Sequence, residues 1–218
     1  HEWFGNNITT KDLADMWVHE SFANYSEGLY TECLFGKQSG ADYIVGNRRG
    51  IRNDRPVIPA AYGVNAQGSG DMYPKGGEML HTIRQIVNDD EKWRGILRGL
   101  NQTFWHQTVT GSQVQDYISK GADTDLSKVF AQYLTTIKIP VLEYAVDGAV
   151  VKFRWANVVP GFNMPVKVRL AGDAYEWVHP TEQWQTAKFA LPDATDFKVD
   201  VNFYVERKNV GAAGPPGN

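Results

Sequence analysis

Residues 1–20 read HEWFGNNITTKDLADMWVHE, so a histidine, His1, and a glutamate, Glu20, stand with 18 residues between them. Imidazole and carboxylate groups are both common zinc ligands, and several catalytic zinc sites combine them. A metal centre is therefore one candidate function of this stretch. Taken alone, Glu20 is better explained as an ordinary surface or salt-bridged glutamate, which is the commoner use of this residue.

The same stretch predicts two helices. The residues GNN at 5–7 interrupt the chain, so the first helix should end near residue 8. The second should run from about residue 11 to residue 35, where Gly36 ends it. Glu20 would lie on a partly apolar stripe of this helix. His19 would point about 100° away from Glu20 and is not expected to be a ligand.

Two segments, HEWFGN at 1–6 and WVHESFANYSE at 17–27, resemble the M1 family of zinc aminopeptidases. The first matches the end of the family's H-E-x-x-H helix, with His1 as its second histidine. The second matches the family pattern W-x-x-E-[GS]-F-A-x-Y-x-E. The resemblance implies that His1 and Glu20 are zinc ligands. It also implies that the first histidine and the general-base glutamate precede His1 and are absent from this sequence.

A third segment of the resemblance begins at Tyr73, where YPKG matches the family pattern Y-x-K-G at the start of a helix. It follows residues 52–72, which are rich in proline and glycine and predict a long loop. The resemblance implies that Tyr73 donates its hydroxyl to the oxyanion of the tetrahedral intermediate. Without the resemblance, a tyrosine at a helix start is more often a packing residue.

Apolar periodicity predicts the rest of the fold. Four amphipathic helices between residues 74 and 134 favour an α-helical array. The period changes at Pro140, and a hairpin signal follows at Asp147-Gly148. The alternating runs predict a small antiparallel β-sandwich of about six strands over residues 140–208. DFKVDVNFYV at 196–205 would be one of these strands.

The expected fold class is therefore α+β multidomain. Residues 1–139 would form the helical array, which the resemblance identifies with the C-terminal part of a thermolysin-like catalytic domain. Residues 140–218 would form a C-terminal β-sandwich domain, whose tail GAAGPPGN is irregular.

Composition narrows the class of protein without naming a function. A net charge of −3, with no basic run among aromatic residues, gives no reason to expect a nucleic acid partner. No apolar run is long enough to predict a membrane span. The single cysteine, Cys33, excludes an internal disulfide framework and is expected to pack as a small apolar residue of a helix. The compartment stays open between periplasm, extracellular space and cytoplasm.

The resemblance implies a parent protein that uses zinc to remove N-terminal residues from peptide substrates. Because half of the active site would be missing, we expect this chain to hold zinc weakly or not at all and to be inactive. The alternative is a non-catalytic peptide- or protein-interaction module derived from such a peptidase. Trp3 and Phe4 would lose neighbours at a truncated face, so a homodimer through that face is a further expectation.

Overall fold

The fold is given by a computed structural model, which describes residues 1–169, 174–189 and 197–211. The chain divides into two compact units, His1–Ile137 and Lys138–Asn218. The first consists mainly of helices and the second of strands, so the predicted α+β class is confirmed. None of the described helices is both long and apolar enough to cross a lipid bilayer.

Six α-helices form the frame of the first unit. They are α1 (Trp17–Phe35), α2 (Lys37–Gly46), α3 (Pro74–Val87), α4 (Asp90–Thr103), α5 (Gly111–Ala122) and α6 (Ser127–Thr135). Two short strands, β1 (Ile8–Thr10) and β2 (Gln107–Val109), pair in parallel. Three 3-10 turns complete the unit, at Leu13–Asp15, Asn47–Gly50 and Gly70–Met72.

Local chemistry explains several helix boundaries. At the start of α4 the Asp89 side chain accepts a backbone N–H from the first turn, and Thr110 and Gln113 form a capping box at the start of α5. Asn88 and Asp123 adopt left-handed conformations at the C-terminal ends of α3 and α5. These caps divide the region into the helices that its apolar periodicity predicts.

The core of the first unit is built around α1 and α3. Trp17 and Phe22 of α1 are buried, and the buried Tyr25 hydroxyl accepts the indole N–H of Trp93 at 2.9 Å. Cys33 is exposed, so the expectation that it is packed is wrong. The reason is that the last turn of α1 extends beyond the core, where Phe35 is also exposed.

The first 16 residues differ from the prediction. Residues 1–7 form turns in place of a helix end, and β1 follows them. The Asp12 carboxylate accepts the N–H of Ala14 and caps a 3-10 turn, so α1 begins only at Trp17. Ile8 is fully buried and pairs with Gln107, far along the chain, so tertiary pairing overrides the local helix signals.

Seven strands are described in the second unit: β3 (Val141–Asp147), β4 (Val150–Ala156), β5 (Val166–Arg169), β6 (Glu176–Val178), β7 (Gln185–Lys188), β8 (Lys198–Val199) and β9 (Glu206–Asn209). They form two sheets, in the orders β7-β4-β3-β9 and β6-β5-β8. The predicted hairpin is confirmed, because β3 and β4 pair antiparallel with Asp147 opposite Val150. Gly148 takes the left-handed conformation that the turn requires, with φ +54.

Two details of the predicted sandwich are wrong. β9 pairs with β3 in parallel, so the four-stranded sheet is mixed. The strand predicted at 196–205 is reduced to β8, because the Asp200 carboxylate accepts the N–H of Asn202 and turns the chain. The start of that prediction, and most of the predicted irregular tail, lie outside the described residues.

Candidate active site

The candidate site begins with a carboxylate on α1. Glu20 lies in the first turn of this helix, where a negative side chain is favoured by the helix dipole, and it is only 7% exposed. The Nε2 atom of His1 lies 2.7 Å from Oε2 of Glu20. The structure therefore brings together the two side chains that the sequence singled out as zinc ligands.

Turns formed by residues 1–7 hold His1 against α1. The His1 carbonyl accepts the N–H of Asn6 at 3.0 Å. Gly5 has φ +135, and a Cβ there would lie 2.8 Å from the His1 carbonyl oxygen, so the turn favours glycine. Phe4 stacks on Phe22 with ring centroids 4.3 Å apart. Phe4, which we expected to lose its neighbours, is therefore packed and helps to seat the segment.

Tyr73 lies between the 3-10 turn Gly70–Met72 and α3, and it is 43% exposed. Pro74 follows at the first helical position, where its missing N–H costs nothing. Burial, followed by the charge and hydrogen bonding of the adjacent Glu20 carboxylate, raises the pKa of the Tyr73 phenol above its usual range. The phenol therefore lies beside Glu20 and stays protonated at neutral pH, as a hydrogen-bond donor must.

A glycine lets α1 and α3 approach closely beside this group. A Cβ on Gly76 would lie 2.5 Å from the Cβ of Ser21 and closer still to its Oγ, so no side chain fits there. The Ser21 hydroxyl also donates to the Met72 carbonyl at 2.8 Å. This close crossing fixes the position of Glu20 on α1 relative to Tyr73 at the start of α3.

Two buried charged residues flank Tyr73 and were not singled out in the sequence. Asp71 is 1% exposed and accepts the backbone N–H groups of residues 52 and 53, at 3.0 and 2.6 Å, so it anchors the preceding loop. Lys75 is equally buried and donates to the Thr136 carbonyl at 2.7 Å. Burial lowers the pKa of Lys75 to about 8. The Y-x-K-G pattern could have pointed to Lys75 as a residue of the site. No pattern in the sequence marks Asp71, which precedes it.

His19, the sequence neighbour of Glu20, is engaged elsewhere. Its Nε2 accepts the backbone N–H of Thr10 at 3.0 Å, which ties the ring to β1. Burial lowers the pKa of His19, so the neutral ring that accepts this hydrogen bond is favoured. His19 therefore holds β1 against α1 and takes no part in the pair formed by His1 and Glu20.

The geometry of His1 and Glu20 fits two ligands of a zinc site. Two ligand atoms of a tetrahedral zinc ion lie about 3.3 Å apart. The His1 Nε2 and Glu20 Oε2 atoms, now 2.7 Å apart, would therefore have to separate slightly to bind the ion. The His1 side chain is 51% exposed and has room to make that movement. Throughout residues 1–169, 174–189 and 197–211, no group of three potential metal-binding side chains converges. A complete site therefore requires a ligand beyond those described.

Glu78 on α3 is a second acidic group with an unusual environment. Its side chain is fully buried, and its Oε2 lies 2.8 Å from Nη2 of Arg48. Burial outweighs this favourable charge and raises the pKa of Glu78 from 4.5 to about 7. The carboxyl group is therefore more readily protonated in the folded chain than in the unfolded chain.

This pKa predicts how stability depends on pH. The stabilisation from protonated Glu78 is fully present below the unfolded pKa of 4.5 and is lost as pH rises through about 7. Between about pH 4 and pH 8, the free energy of unfolding should therefore fall by up to about 3 kcal/mol more in the natural chain than in Glu78→Gln. Urea titrations at several pH values measure this difference. Glu91→Gln, at an exposed side chain, is the control. Its free energy of unfolding should change with pH as that of the natural chain does.

Comparison with known proteins identifies a family and several relatives of this chain. Residues 1–133 match the model of the Peptidase family M1 domain. The leucyl aminopeptidase of Saccharolobus solfataricus is 27% identical over 158 residues, which cover 68% of this chain and 20% of that protein. Aminopeptidase N of Lactobacillus helveticus is 28% identical over 167 residues, covering 68% of this chain and 19% of that protein. The chain thus spans about a fifth of the length of these relatives.

A solved structure has a similar fold. It is that of Legionella pneumophila aminopeptidase A in complex with aspartic acid, and it superposes on this chain with a TM-score of 0.74. The match covers 95% of this chain and 26% of that protein, at 16% sequence identity. At this level of identity the likeness establishes the fold alone.

Proposed function

Because the chain belongs to peptidase family M1, whose domain model matches residues 1–133, we propose that it is part of a zinc-dependent aminopeptidase that removes N-terminal residues from peptides. The proposal is supported by the bond of 2.7 Å between His1 and Glu20, together with the Glu20 carboxylate being the charge that acts on the Tyr73 phenol. His1 and Glu20 are assigned as zinc ligands and Tyr73 as the oxyanion donor. Relatives with aminopeptidase names support the assignment.

The three side chains divide the chemistry between them. Zinc, when bound, would polarise the scissile carbonyl and make a water molecule acidic enough to attack it. His1 supplies an imidazole nitrogen and Glu20 a carboxylate oxygen as ligand atoms. The Tyr73 phenol, protonated at neutral pH, donates a hydrogen bond to the oxyanion that develops during attack.

Two parts of the family pattern are not found in this sequence. Its 218 residues contain no H-E-x-x-H, so the proposal assigns the first histidine and the general-base glutamate to residues before His1. Loss of a general base typically lowers a rate by about 10²–10⁴-fold. Activity is therefore assigned to a longer protein, and the chain alone is expected to be inactive.

The alternative is a non-catalytic module that binds peptides or proteins. Two exposed aromatic residues favour it, Tyr30 on α1 and Trp3 in the turns before β1, each of them 67% exposed. Such a module needs neither zinc nor Glu20, whereas the aminopeptidase needs both. Zinc content and the effect of replacing Glu20 therefore separate the two functions.

The function is tested on the gene product that includes the residues encoded before His1. We expect H-E-x-x directly before His1, one zinc ion per chain and hydrolysis of aminoacyl anilides, with zinc and activity both lost in Glu20→Gln. Glu176→Gln, at an exposed residue of β6, is the control and should retain both. The assignment fails if H-E-x-x does not precede His1, or if zinc remains after Glu20→Gln.

The chain by itself is expected to bind zinc far below one equivalent at submicromolar free zinc. Catalytic zinc sites use three protein ligands, whereas here two converge and one of them, His1, is half exposed. Equilibrium dialysis with metal analysis measures the binding. Stoichiometric zinc that disappears in Glu20→Gln would contradict the prediction. Zinc that persists in Glu20→Gln would identify a different site, such as one formed by the α-amino group and ring of His1.

We also propose, separately from the aminopeptidase assignment, that the chain by itself forms a homodimer through the surface around Trp3. Trp3 lies between two pockets on α1, of about 370 and 550 Å³, which share Ser26. Apolar surface of this kind tends to find a partner. Light scattering at micromolar concentration should give a dimer mass for the natural chain and a monomer mass for Trp3→Ala. Trp105→Ala, at a tryptophan that is also exposed, should remain dimeric. A monomer mass for the natural chain overturns the proposal.

A further inference from the structure

Ser21 occupies the closest contact between α1 and the segment that carries Tyr73. It follows Glu20 in sequence and is completely buried. Its hydroxyl donates to the Met72 carbonyl at 2.8 Å. Met72 is the last residue of the 3-10 turn and directly precedes Tyr73. The hydroxyl therefore fixes the peptide group through which Tyr73 is attached.

The other side of the Ser21 side chain packs on the first turn of α3. Gly76 leaves the space for it, because any Cβ at that position would overlap the Ser21 hydroxyl. Ser21 thus contacts the chain both before and after Tyr73. The Ser21 side chain therefore restrains the backbone on both sides of Tyr73, by a hydrogen bond to Met72 and a steric contact with Gly76.

The backbone hydrogen bonds of Tyr73 stay within its own segment: its N–H donates to the Gly70 carbonyl at 3.3 Å and its carbonyl accepts the N–H of Gly77 at 3.0 Å, so neither joins Tyr73 to α1. Its side chain is 43% exposed, and it makes no side-chain capping bond at the start of α3. Its phenol nevertheless lies beside Glu20, whose position on α1 is next to Ser21. Ser21 and Glu20 are adjacent residues of α1, so the side chain that bonds to the Met72 carbonyl and the carboxylate beside the Tyr73 phenol belong to the same helix.

We propose that Ser21 is a positioning residue, whose hydroxyl locks the backbone at Tyr73 onto α1 and so keeps the phenol in contact with Glu20. The proposal rests on the proposed function only for the catalytic meaning of that contact. The contact itself is a property of this chain and is measurable without zinc or activity. Failure of the positioning role and failure of the aminopeptidase assignment are therefore distinguishable.

A second serine on α1 provides the matched control. Ser26 donates its hydroxyl to the Phe22 carbonyl at 2.7 Å, which is a bond within the helix. Ser26→Ala removes a hydroxyl from the same helix without touching the segment that carries Tyr73. Ser21→Ala removes the bond between the two segments. Ser21→Gly serves as a second variant, because it removes both the hydroxyl and the side-chain contact with Gly76.

The test is NMR spectroscopy of the full 218-residue chain with labelled tyrosine and glutamate. Cross-peaks between the Tyr73 ring and the Glu20 side chain should be present in the natural chain and in Ser26→Ala, and lost in Ser21→Ala and Ser21→Gly. Circular dichroism establishes that each variant is folded. Folded Ser21 variants that keep these cross-peaks overturn the proposal, even if their melting temperature is lower, because Ser21 is then a packing residue only.

A measurement on the natural chain keeps the proposal falsifiable if neither Ser21 variant folds. The Ser21 hydroxyl proton should exchange slowly with solvent and show a cross-peak to the Tyr73 amide proton. A hydroxyl proton that exchanges as fast as that of an exposed serine overturns the proposal, because the bond to Met72 would then be absent in solution.

Discussion

Replacing Tyr73 with phenylalanine in the zinc-loaded longer protein is expected to lower kcat about 10²–10³-fold and to leave KM nearly unchanged. The variant keeps the aromatic ring and loses only the hydroxyl that lies beside Glu20. We propose that this hydroxyl bonds mainly to the developing oxyanion, so the loss should fall on the transition state and not on substrate binding. Steady-state hydrolysis of an aminoacyl anilide, with zinc content measured for each variant, checks the result.

Tyr62→Phe is the matched control for this experiment. Tyr62 is similarly exposed, at 49%, and its phenol donates to a carboxylate oxygen, Oδ2 of Asp15, at 2.6 Å. It lies outside the group formed by His1, Glu20 and Tyr73, so its replacement should leave kcat unchanged. A Tyr73→Phe protein with normal kcat and a raised KM would instead place the phenol in substrate binding.

Gly76→Ala is expected to lower the free energy of unfolding of the chain by about 2 kcal/mol, as is typical of overpacking in a core. The new methyl group would lie 2.5 Å from the Ser21 Cβ and 3.3 Å from its Cα, so a change of the Ser21 rotamer cannot relieve the clash. The two helices must separate instead. Urea denaturation followed by circular dichroism measures the change in the free energy of unfolding.

The same substitution at Gly95, on α4, is expected to raise the free energy of unfolding. A Cβ there meets nothing within 4 Å, so Gly95→Ala should stabilise the chain by up to about 1 kcal/mol through helix propensity. Equal stability of Gly76→Ala and Gly95→Ala would show that the crossing of α1 and α3 is not tightly packed. It would also remove the structural reason for the glycine of the Y-x-K-G pattern.

Elements with a complete local signal were predictable from the sequence. The hairpin at Asp147-Gly148 is one, since both the alternating strands and the turn residues stand within a few positions of each other. Helix α5 is another, because Thr110 and Gln113 supply its capping box and an apolar stripe supplies its buried face. In both cases the residues that determine the structure are neighbours in sequence.

Elements that depend on a distant partner were not predictable. Strand β1 follows residues that resemble a helix end, and only its pairing with β2 makes it a strand. The parallel pairing of β9 with β3 is a second example, because alternation of apolar residues does not encode strand direction. Cys33 is a third, since its exposure depends on how far α1 extends beyond the core.

The candidate site also has a part that the sequence could predict and a part that depends on distant contacts. The family resemblance singled out His1, Glu20 and Tyr73, but it gave no distance between them. Their meeting depends on the turns of residues 1–7 and on the fit of Ser21 against α3, which no periodic pattern encodes. A resemblance can therefore name the residues of a site, whereas the contacts that hold them require the structure.

Diffraction at the zinc absorption edge, from crystals of the longer protein, would reveal whether His1 and Glu20 are ligands of one zinc ion. We expect an anomalous peak within about 2.2 Å of both His1 Nε2 and a Glu20 carboxylate oxygen, with the Tyr73 hydroxyl facing the same space. A zinc peak elsewhere in the protein, with His1 and Glu20 still bonded directly to each other, would contradict this expectation.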